Sequence, residues 1–394
     1  MPSLFDPLQL GPVKLRNRAI RAAAFEGMAP GHEVSDQLVE YHRSVARGGV
    51  GMSTVAYAAI AQSGLTFAHQ LWLRPEAVPG LRRLTDALHA EGAKASIQLG
   101  HCGNMAADRR VAGERALSPS GRFNLYGPVW PREMTTDDLA HTAKQFGEAV
   151  RRARDAGFDA VEVHAGHGYL ISQFLSPWTN HRTDAYGGPL ENRLRFAREV
   201  MAEVKRAAGN DLAVVVKTNL RDGFKGGMEL EEAVQVAKAL EEAGADALVL
   251  TGGFVSRAPM YIMRGDSIAS ELSRRMKPWW MRMFVGALGE WLIPPVPFTE
   301  AYFLEDAKVV RAEVKLPLVY VGGVASQAAV DRVLESGFQG IAMARALIRE
   351  PDFLQRLRRE GERGEARCDH CNHCAARIYT TSMGCHHLIG KTAP

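Results

Sequence analysis

The sequence predicts an α/β protein, a (β/α)8 or TIM barrel with a short cysteine-rich extension at its C-terminal end. Three observations predict it: eight short β-rich runs, a helix-like segment after each, and a length of 394 residues, enough to close such a ring around one core. Strict strand–helix alternation is the signal of parallel strands joined by crossover helices, and eight such units favour a closed barrel over an open doubly wound sheet.

The first run, AIRAAA (19–24), precedes a periodic segment near 36–47; the second, GVGMSTVA (49–56), precedes 79–91; the third, AKASIQL (93–99), precedes 136–157. That third helix opens with Thr-Thr-Asp-Asp, polar capping chemistry, and closes on a glycine. DAVEVH (159–164) is followed by 190–208, AVVVKT (213–218) by 229–243, and DALVLT (246–251) by 299–313. PLVYVG (317–322) leads to 326–336, and GIAMAR (340–345) to 346–359.

Two connections are too long for plain turns, 100–135 after the third strand and 252–298 after the sixth. Both follow strands and therefore belong to the C-terminal face of a barrel, where active sites are built; they are read as substrate walls and lids. The second carries KPWWMRMFVGALGEWLIPPVPF, for which three readings stand: a helix packed on the rim, a lid over an apolar substrate, or a surface for a membrane or another copy of the chain. The barrel is expected over residues 1–360 and the tail over 361–394.

Apolar residues at 46% and charged residues at 23% describe a globular chain. Its net charge of +4 comes from scattered arginines (Arg82-Arg83, Arg151-Arg152, Arg274-Arg275) with no dense basic run, so no nucleic-acid partner is expected. The opening MPSLFDPLQLGPVKLRNR lacks the layout of a signal peptide, and no apolar run is long enough to span a bilayer. A cytoplasmic protein is expected. Of five cysteines, four crowd into 368–385, which suits a metal better than a secreted disulfide framework.

A barrel gathers the carboxyl ends of its strands at one mouth. There the sequence places Ala22 to Phe25, Ala56, Gln98, His164, Lys217, Thr251, Gly322 with Gly323, and Arg345. Alternation puts Glu162 and His164 on one face of the fourth strand, with Val161 and Val163 turned to the helices. The Gly-Gly of VGGVAS and the cationic MARAL turn have the makings of a phosphate site. Small residues (Ala22, Ala23, Ala24, Ala56) let a flat ring lie against the backbone, with the Gln98 amide at its polar edge; ordinary barrel packing accounts for the alanines almost as well. His164 and His167, as neutral imidazoles, can each donate an N–H to one oxygen, and Tyr169 adds a proton donor. On these residues alone, carbonyl activation stands against histidines that satisfy backbone groups or bind metal.

The segment HAGHGYLISQFLSPWTNHRTDAYGGPLENRLRF closely resembles the signature of the Old Yellow Enzyme family of FMN-dependent oxidoreductases. The likeness runs from FDPLQLGPVKLRNR through SIQLGHCG to LVYVGGVAS and GFQGIAMARALIREPDF, about residues 3 to 355. The resemblance implies that His164 and His167 bind the carbonyl of an α,β-unsaturated substrate, that reduced FMN delivers hydride to the β-carbon, and that Tyr169 protonates the α-carbon. It implies an enone, enoyl or dienoyl substrate, reduced or formed by the reverse desaturation, and, if the tail holds no cluster, direct reduction of FMN by NAD(P)H at the barrel mouth. Gln98 matches the family's glutamine at the flavin pyrimidine edge. Lys217 stands where the family commonly has arginine, Phe25 where many members have threonine or cysteine, and Ala344 where a glycine precedes Arg345.

Cys368, Cys371, Cys374 and Cys385 are spaced C-x2-C-x2-C-x10-C. Their place resembles that of the [4Fe–4S] ligands in the subgroup containing 2,4-dienoyl-CoA reductase and trimethylamine dehydrogenase, where the third cysteine typically comes one residue later. Two alternatives stand beside the cluster: tetrahedral zinc, with His370, His373, His386 and His387 as further ligands, and thiols that hold no metal. That subgroup usually continues into nucleotide-binding domains; this chain stops, so a cluster here implies a separate electron-transfer protein. Two rivals are a lyase using Lys217 as a Schiff base and a zinc-bearing interaction protein without catalysis. The lone Cys102 reads as a pocket-wall residue, and a homo-oligomer is expected from the family.

Overall fold

The computed structural model describes residues 2–106, 108–124, 129–275, 279–361 and 364–388. Eight parallel strands close a barrel: β1 (Ala19–Arg21), β2 (Met52–Ala59), β3 (Lys94–Gly100), β4 (Ala160–Ala165), β5 (Ala213–Asn219), β6 (Ala247–Thr251), β7 (Leu318–Val321) and β8 (Gly340–Met343). Each pairs with its neighbours in sequence, and β8 returns to β1 through Ile341 opposite Ala19. Such strands have helices outside and packed side chains inside, so they must be apolar on both faces, and every residue of β2, β4, β5, β6 and β8 is buried. An antiparallel hairpin, Leu8–Leu10 with Val13–Leu15, packs Leu10 and Leu15 against Ile20, Val215 and Val319.

The surrounding helices are α1 (Asp36–Arg47), α2 (Val78–Ala90), α3 (Thr136–Asp155), α4 (Leu190–Ala208), α5 (Leu230–Glu242), α6 (Leu304–Glu313), α7 (Gln327–Glu335) and α8 (Phe353–Glu360). α3 begins in a capping box: the Asp138 N–H donates to the Thr135 hydroxyl at 3.2 Å and the Thr135 N–H to the Asp138 carboxylate at 2.7 Å. Such a cap stabilises by about 1 kcal/mol. α3 then lays Leu139, Ala143, Phe146 and Val150 onto the core.

The structure corrects several element boundaries. The first strand was expected over 19–24 but ends at Arg21, because the buried Arg21 guanidinium folds back onto the carbonyls of Thr54 (2.6 Å) and Ala24 (2.9 Å) and pairs with Glu26 at 2.7 Å. Ala22 still donates its N–H to the Met343 carbonyl at 2.8 Å, and residues 23–25 leave the ladder. The second starts at Met52 and runs on to Ala59, with a register shift between Val55 and Ala58. The eighth stops at Met343, and Arg345–Arg349 turns into a short helix. The helix expected over 346–359 is thus two pieces, interrupted where Pro351 can supply no backbone donor.

The long insertions differ more. In the first, Leu117–Ser118 pairs with Arg132–Glu133, while residues 107 and 125–128 lie outside the described residues. In the second, the helix Trp279–Leu292 packs against Ala269–Arg275, and Gly289 faces Ala269 so closely that a Cβ there would come within 2.7 Å. Its opposite side meets solvent, with Trp279 73%, Met283 67% and Trp291 80% exposed. Among its described residues this helix does not border the strand-end cavity, whose wall on that side is Val255, Ile262 and Met263. Lys277 and Pro278 lie outside the described residues, as do 362, 363 and 389–394 of the tail. Among the described residues no helix is long and apolar enough to cross a membrane.

Candidate active site

The strand ends surround a cavity of about 230 Å³. Ala22, Ala23, Ala24 and Phe25 border it after β1, Gln98 from β3, His164 from β4, Lys217 from β5 and Thr251 from β6; His167 and Tyr169 reach it from the loop after β4. A smaller pocket of about 70 Å³ continues from it behind Gly322 and Gly323, and Val321, Ala344 and Arg345 border both. A broad apolar slot joined to a glycine-lined pocket with a guanidinium fits a flat ring system carrying a phosphate arm. Ala56 does not border the cavity; its N–H donates to the buried Glu26 carboxylate at 3.1 Å.

The polar edge of the slot is organised from below. Glu162, two residues before His164 and on the same face of β4, accepts from Gln98 Nε2 at 2.7 Å and pairs with Lys217 Nζ at 2.9 Å. All three are buried, so the carboxylate and ammonium compensate one another in a site where either alone would be strongly disfavoured. Lys217 Nζ also donates to the Ala23 carbonyl at 3.4 Å, tying β5 to the segment after β1.

The loop after β4 adopts an unusual backbone. His167 has φ +58° and Gly168 φ +79°, and a Cβ on Gly168 would come within 2.4 Å of the Phe254 ring, so only glycine fits there. Asn219 at the end of β5 holds the turn, accepting the His167 N–H at 3.0 Å while its amide donates to Asp222 and Gly253. Thr251 Oγ1 meets His167 Nε2 at 2.8 Å. The two imidazoles lie nearly perpendicular, 5.3 Å apart, with the Tyr169 ring 4.4 Å from His164 and Tyr57 edge-on to Tyr169 at 4.9 Å.

Burial holds His164 well below the usual histidine range, helped by His167 and Lys217; burial and Lys217 depress His167 to about 3. Both rings are therefore neutral near pH 7. The Nδ1 of His164 is buried with no hydrogen-bond partner among the described residues, an orphan on a ring that borders the cavity. Burial raises Tyr169, which keeps its phenolic proton. Cys102 is buried, its thiol pushed up to about 12, which rules it out as a nucleophile near neutral pH.

The four tail cysteines, Cys368, Cys371, Cys374 and Cys385, border one small pocket with Ile348 and Arg349. Arg349 Nη1 donates to Cys385 Sγ at 3.7 Å. Four cysteines lining one pocket are the residue types that hold a metal group by thiolates. A second donor set overlaps it: Cys371, His373 and His386 have ligand atoms within 4.8 Å of one another, as a zinc site requires. The tail also walls the main cavity, through Cys374, Ala375, Ile378, Tyr379 and Met383. It is fastened by His69 Nε2 to the Ile378 carbonyl (2.9 Å), the Met383 N–H to the Glu26 carbonyl (2.7 Å) and Arg345 to Asn372 Oδ1 (2.7 Å).

Several residues of this site were not singled out from the sequence. Alternation alone placed Glu162 beside His164, and the strand-end rule placed Thr251 at the mouth, but neither gave their partners. Tyr57, Ile378 and Tyr379 carried no signal.

A family model described as the NADH:flavin oxidoreductase / NADH oxidase family matches residues 3–258. A 4,4'-dithiodibutanoate disulfide reductase from Rhodococcus erythropolis is 40% identical over 380 residues, 96% of this chain and 94% of that protein. Among solved structures, a 2-naphthoyl-CoA reductase superposes with a TM-score of 0.83 at 26% identity, over 97% of this chain but only 56% of its own. An old yellow enzyme homologue from Zymomonas mobilis gives a TM-score of 0.70 at 25% identity, over 91% of this chain and 93% of its own.

Proposed function

Because the chain belongs to the NADH:flavin oxidoreductase / NADH oxidase family, with old yellow enzymes among its structural neighbours, we propose that it is an FMN-dependent reductase of small apolar molecules carrying an activated C=C bond, or catalyses the reverse desaturation. The carrying observation is the pair of buried, neutral histidines with an orphaned Nδ1 beside a proton-bearing tyrosine. When bound, FMN supplies the two-electron chemistry, taking hydride from NAD(P)H and giving it to the substrate.

The chain supplies position, charge and a proton. His167 Nε2 is taken up by Thr251 Oγ1, and in the tautomer that accepts from that hydroxyl the His167 proton would lie on Nδ1, available to a substrate carbonyl oxygen. His164 Nδ1 provides the second donor, and such paired donors are worth about 3 kcal/mol each where negative charge develops on oxygen. Tyr169 then protonates the α-carbon. Gln98 and Lys217, fixed by Glu162, would address the polar edge of the flavin; Ala22, Ala24 and Phe25 would lie against its ring, and Gly322, Gly323, Ala344 and Arg345 would receive the phosphate.

For the tail, 361–394 beside a barrel of 1–360, we favour a [4Fe–4S] cluster on Cys368, Cys371, Cys374 and Cys385, supported by the convergence of all four on one pocket. When bound, the cluster exchanges single electrons, which would link the enzyme to a separate electron-transfer protein; zinc on Cys371, His373 and His386 is the alternative. We place the protein in the cytoplasm, because four of its five cysteines crowd into 368–385, which suits a metal better than a secreted disulfide framework.

A second acceptor class has its own support, the 40% identity to a disulfide reductase across 94% of its length. In that case the histidines would hold the leaving thiolate and Tyr169 would give it a proton, so that one hydride and one proton convert one disulfide into two thiols.

Anaerobic stopped-flow of Tyr169→Phe tests the reading. Flavin reoxidation by an enone should slow by about 10²–10⁴ while flavin reduction by NAD(P)H is unchanged. An unchanged reoxidation rate would remove Tyr169 as the donor. Iron, zinc and acid-labile sulfide assayed on anaerobically purified protein decide between cluster and zinc.

A further inference from the structure

A second cavity, of about 290 Å³, opens on the same face of the barrel. The loop after β6 separates the two: Val255 borders the catalytic cavity and Ser256 the second one. Gln173 joins them from below, its Nε2 donating to the Gly168 carbonyl (2.7 Å) beside Tyr169 and its Oε1 accepting the Asn104 N–H (3.1 Å) at the second cavity's edge.

The chemistry of this cavity is one-sided. Ser118, Ser120 and Arg122 contribute from the first insertion, and none of its described lining residues is an aspartate or glutamate. Ser120 Oγ accepts the His181 N–H at 2.9 Å, which leaves the hydroxyl proton free to donate. At the rim, the Arg257 guanidinium lies 5.5 Å from the centre of the Trp178 ring. Neither Arg122 nor Arg257 has a carboxylate or a side-chain hydrogen bond among the described residues. Their neighbours do: Arg132 pairs with Asp138 at 2.6 Å, and Arg182 with Asp184 at 2.6 Å. Arg182 also donates to the carbonyls of Pro119 (3.1 Å) and Met134 (2.6 Å), which fixes the Ser118–Ser120 wall before any ligand arrives.

We propose that this cavity is an anion subsite, holding a carboxylate or phosphate carried by a molecule whose reactive part occupies the catalytic cavity. The proposal rests on the oxidoreductase reading above. Two unpaired guanidiniums, a free hydroxyl proton and an aromatic face without opposing carboxylates form a donor set for such a group. The anion has two sources, the substrate's own acidic tail or the phosphates of the nicotinamide donor.

The test is calorimetry on FMN-loaded protein, wild type and R122Q/R257Q, with four probes: 4-carboxybenzylideneacetone, its methyl ester, NADP+ and NAD+. Both arginines are exposed, so coincident melting curves are expected for the two proteins. A loss of about tenfold or more in affinity for the carboxylate, with the ester unchanged, assigns the subsite to the substrate. A similar loss for NADP+, with or without NAD+, assigns it to the donor. All four affinities within twofold of wild type overturn the proposal. Turnover of the methyl ester by wild-type enzyme is read separately, and on that the parent reading alone depends.

Discussion

Glu162 carries more of the site than its silence in the sequence suggests. It is the counter-charge of Lys217 and the acceptor of Gln98, the two side chains expected at the flavin's polar edge. Glu162→Gln keeps the shape and removes the charge, leaving a buried ammonium uncompensated. About 3–5 kcal/mol of stability should be lost together with retention of FMN, measurable by denaturant unfolding and by flavin released on gel filtration. An unchanged flavin content would mean that Lys217 finds another partner. The histidines make a second, pH-dependent expectation. His167 titrates near 3 and His101 near 4 in the folded protein, both depressed by burial from an unfolded value near 6.5. Below 6.5 the unfolded chain binds protons that the native protein does not, so stability is full above that pH and falls as pH drops towards 4. Each should cost roughly 1–2 kcal/mol at pH 5. His167→Asn should flatten part of the slope, and the enone rate should show no inflection near 6.5. Period-two alternation made Glu162 and His164 legible as a face; the pairing across to β3 and β5 was not, because register between distant strands is set by the closed ring.

At the scale of elements, the sequence located strands well and their ends poorly. β1 and β8 ended early because side-chain interactions and a helix start, Arg21 back onto the chain and Ala344 into the helix Arg345–Arg349, displace ladder bonds. The apolar stripe of Trp279–Leu292 could be read as rim, lid or interface because all three want the same pattern, and only tertiary placement separates them. The tail was the larger surprise. Its cysteine spacing announced metal chemistry, but nothing local announced that Ile378 and Tyr379 would wall a cavity built from β1 to β6, some two hundred residues from His164 in sequence. A consequence follows for metal removal. Stripping the tail with a chelator, or replacing all four cysteines by serine, should loosen 367–388 and raise its cleavage in limited proteolysis, with FMN affinity falling as the wall opens. Unchanged proteolysis would show that the contacts of His69, Glu26 and Arg345 hold the tail without metal.

Across the whole molecule, two cavities built from opposite arcs of the barrel have to be occupied by one ligand. The ring slot lies against β1 and β3 to β6, the phosphate pocket against β7 and β8, and Val321, Ala344 and Arg345 are their shared border. A ligand that spans both arcs resists opening of the ring anywhere between them, so its binding energy appears as global stability: about 2.7 kcal/mol at a concentration 100 times its Kd. Riboflavin fills the slot and leaves the phosphate pocket empty. FMN should therefore raise the melting temperature more than riboflavin at equal concentration, and Arg345→Ala should narrow that gap. The guanidinium also holds Asn372 and the Arg264 carbonyl, so the substitution will disturb the tail whichever ligand is present. Riboflavin cancels that shared loss, since only the difference between the two ligands reports the phosphate contact, worth about 1.5–3 kcal/mol for a charged hydrogen bond. If the gap survives Arg345→Ala undiminished, the phosphate is held by the backbone of Gly322, Gly323 and Ala344, and the cation serves the tail instead.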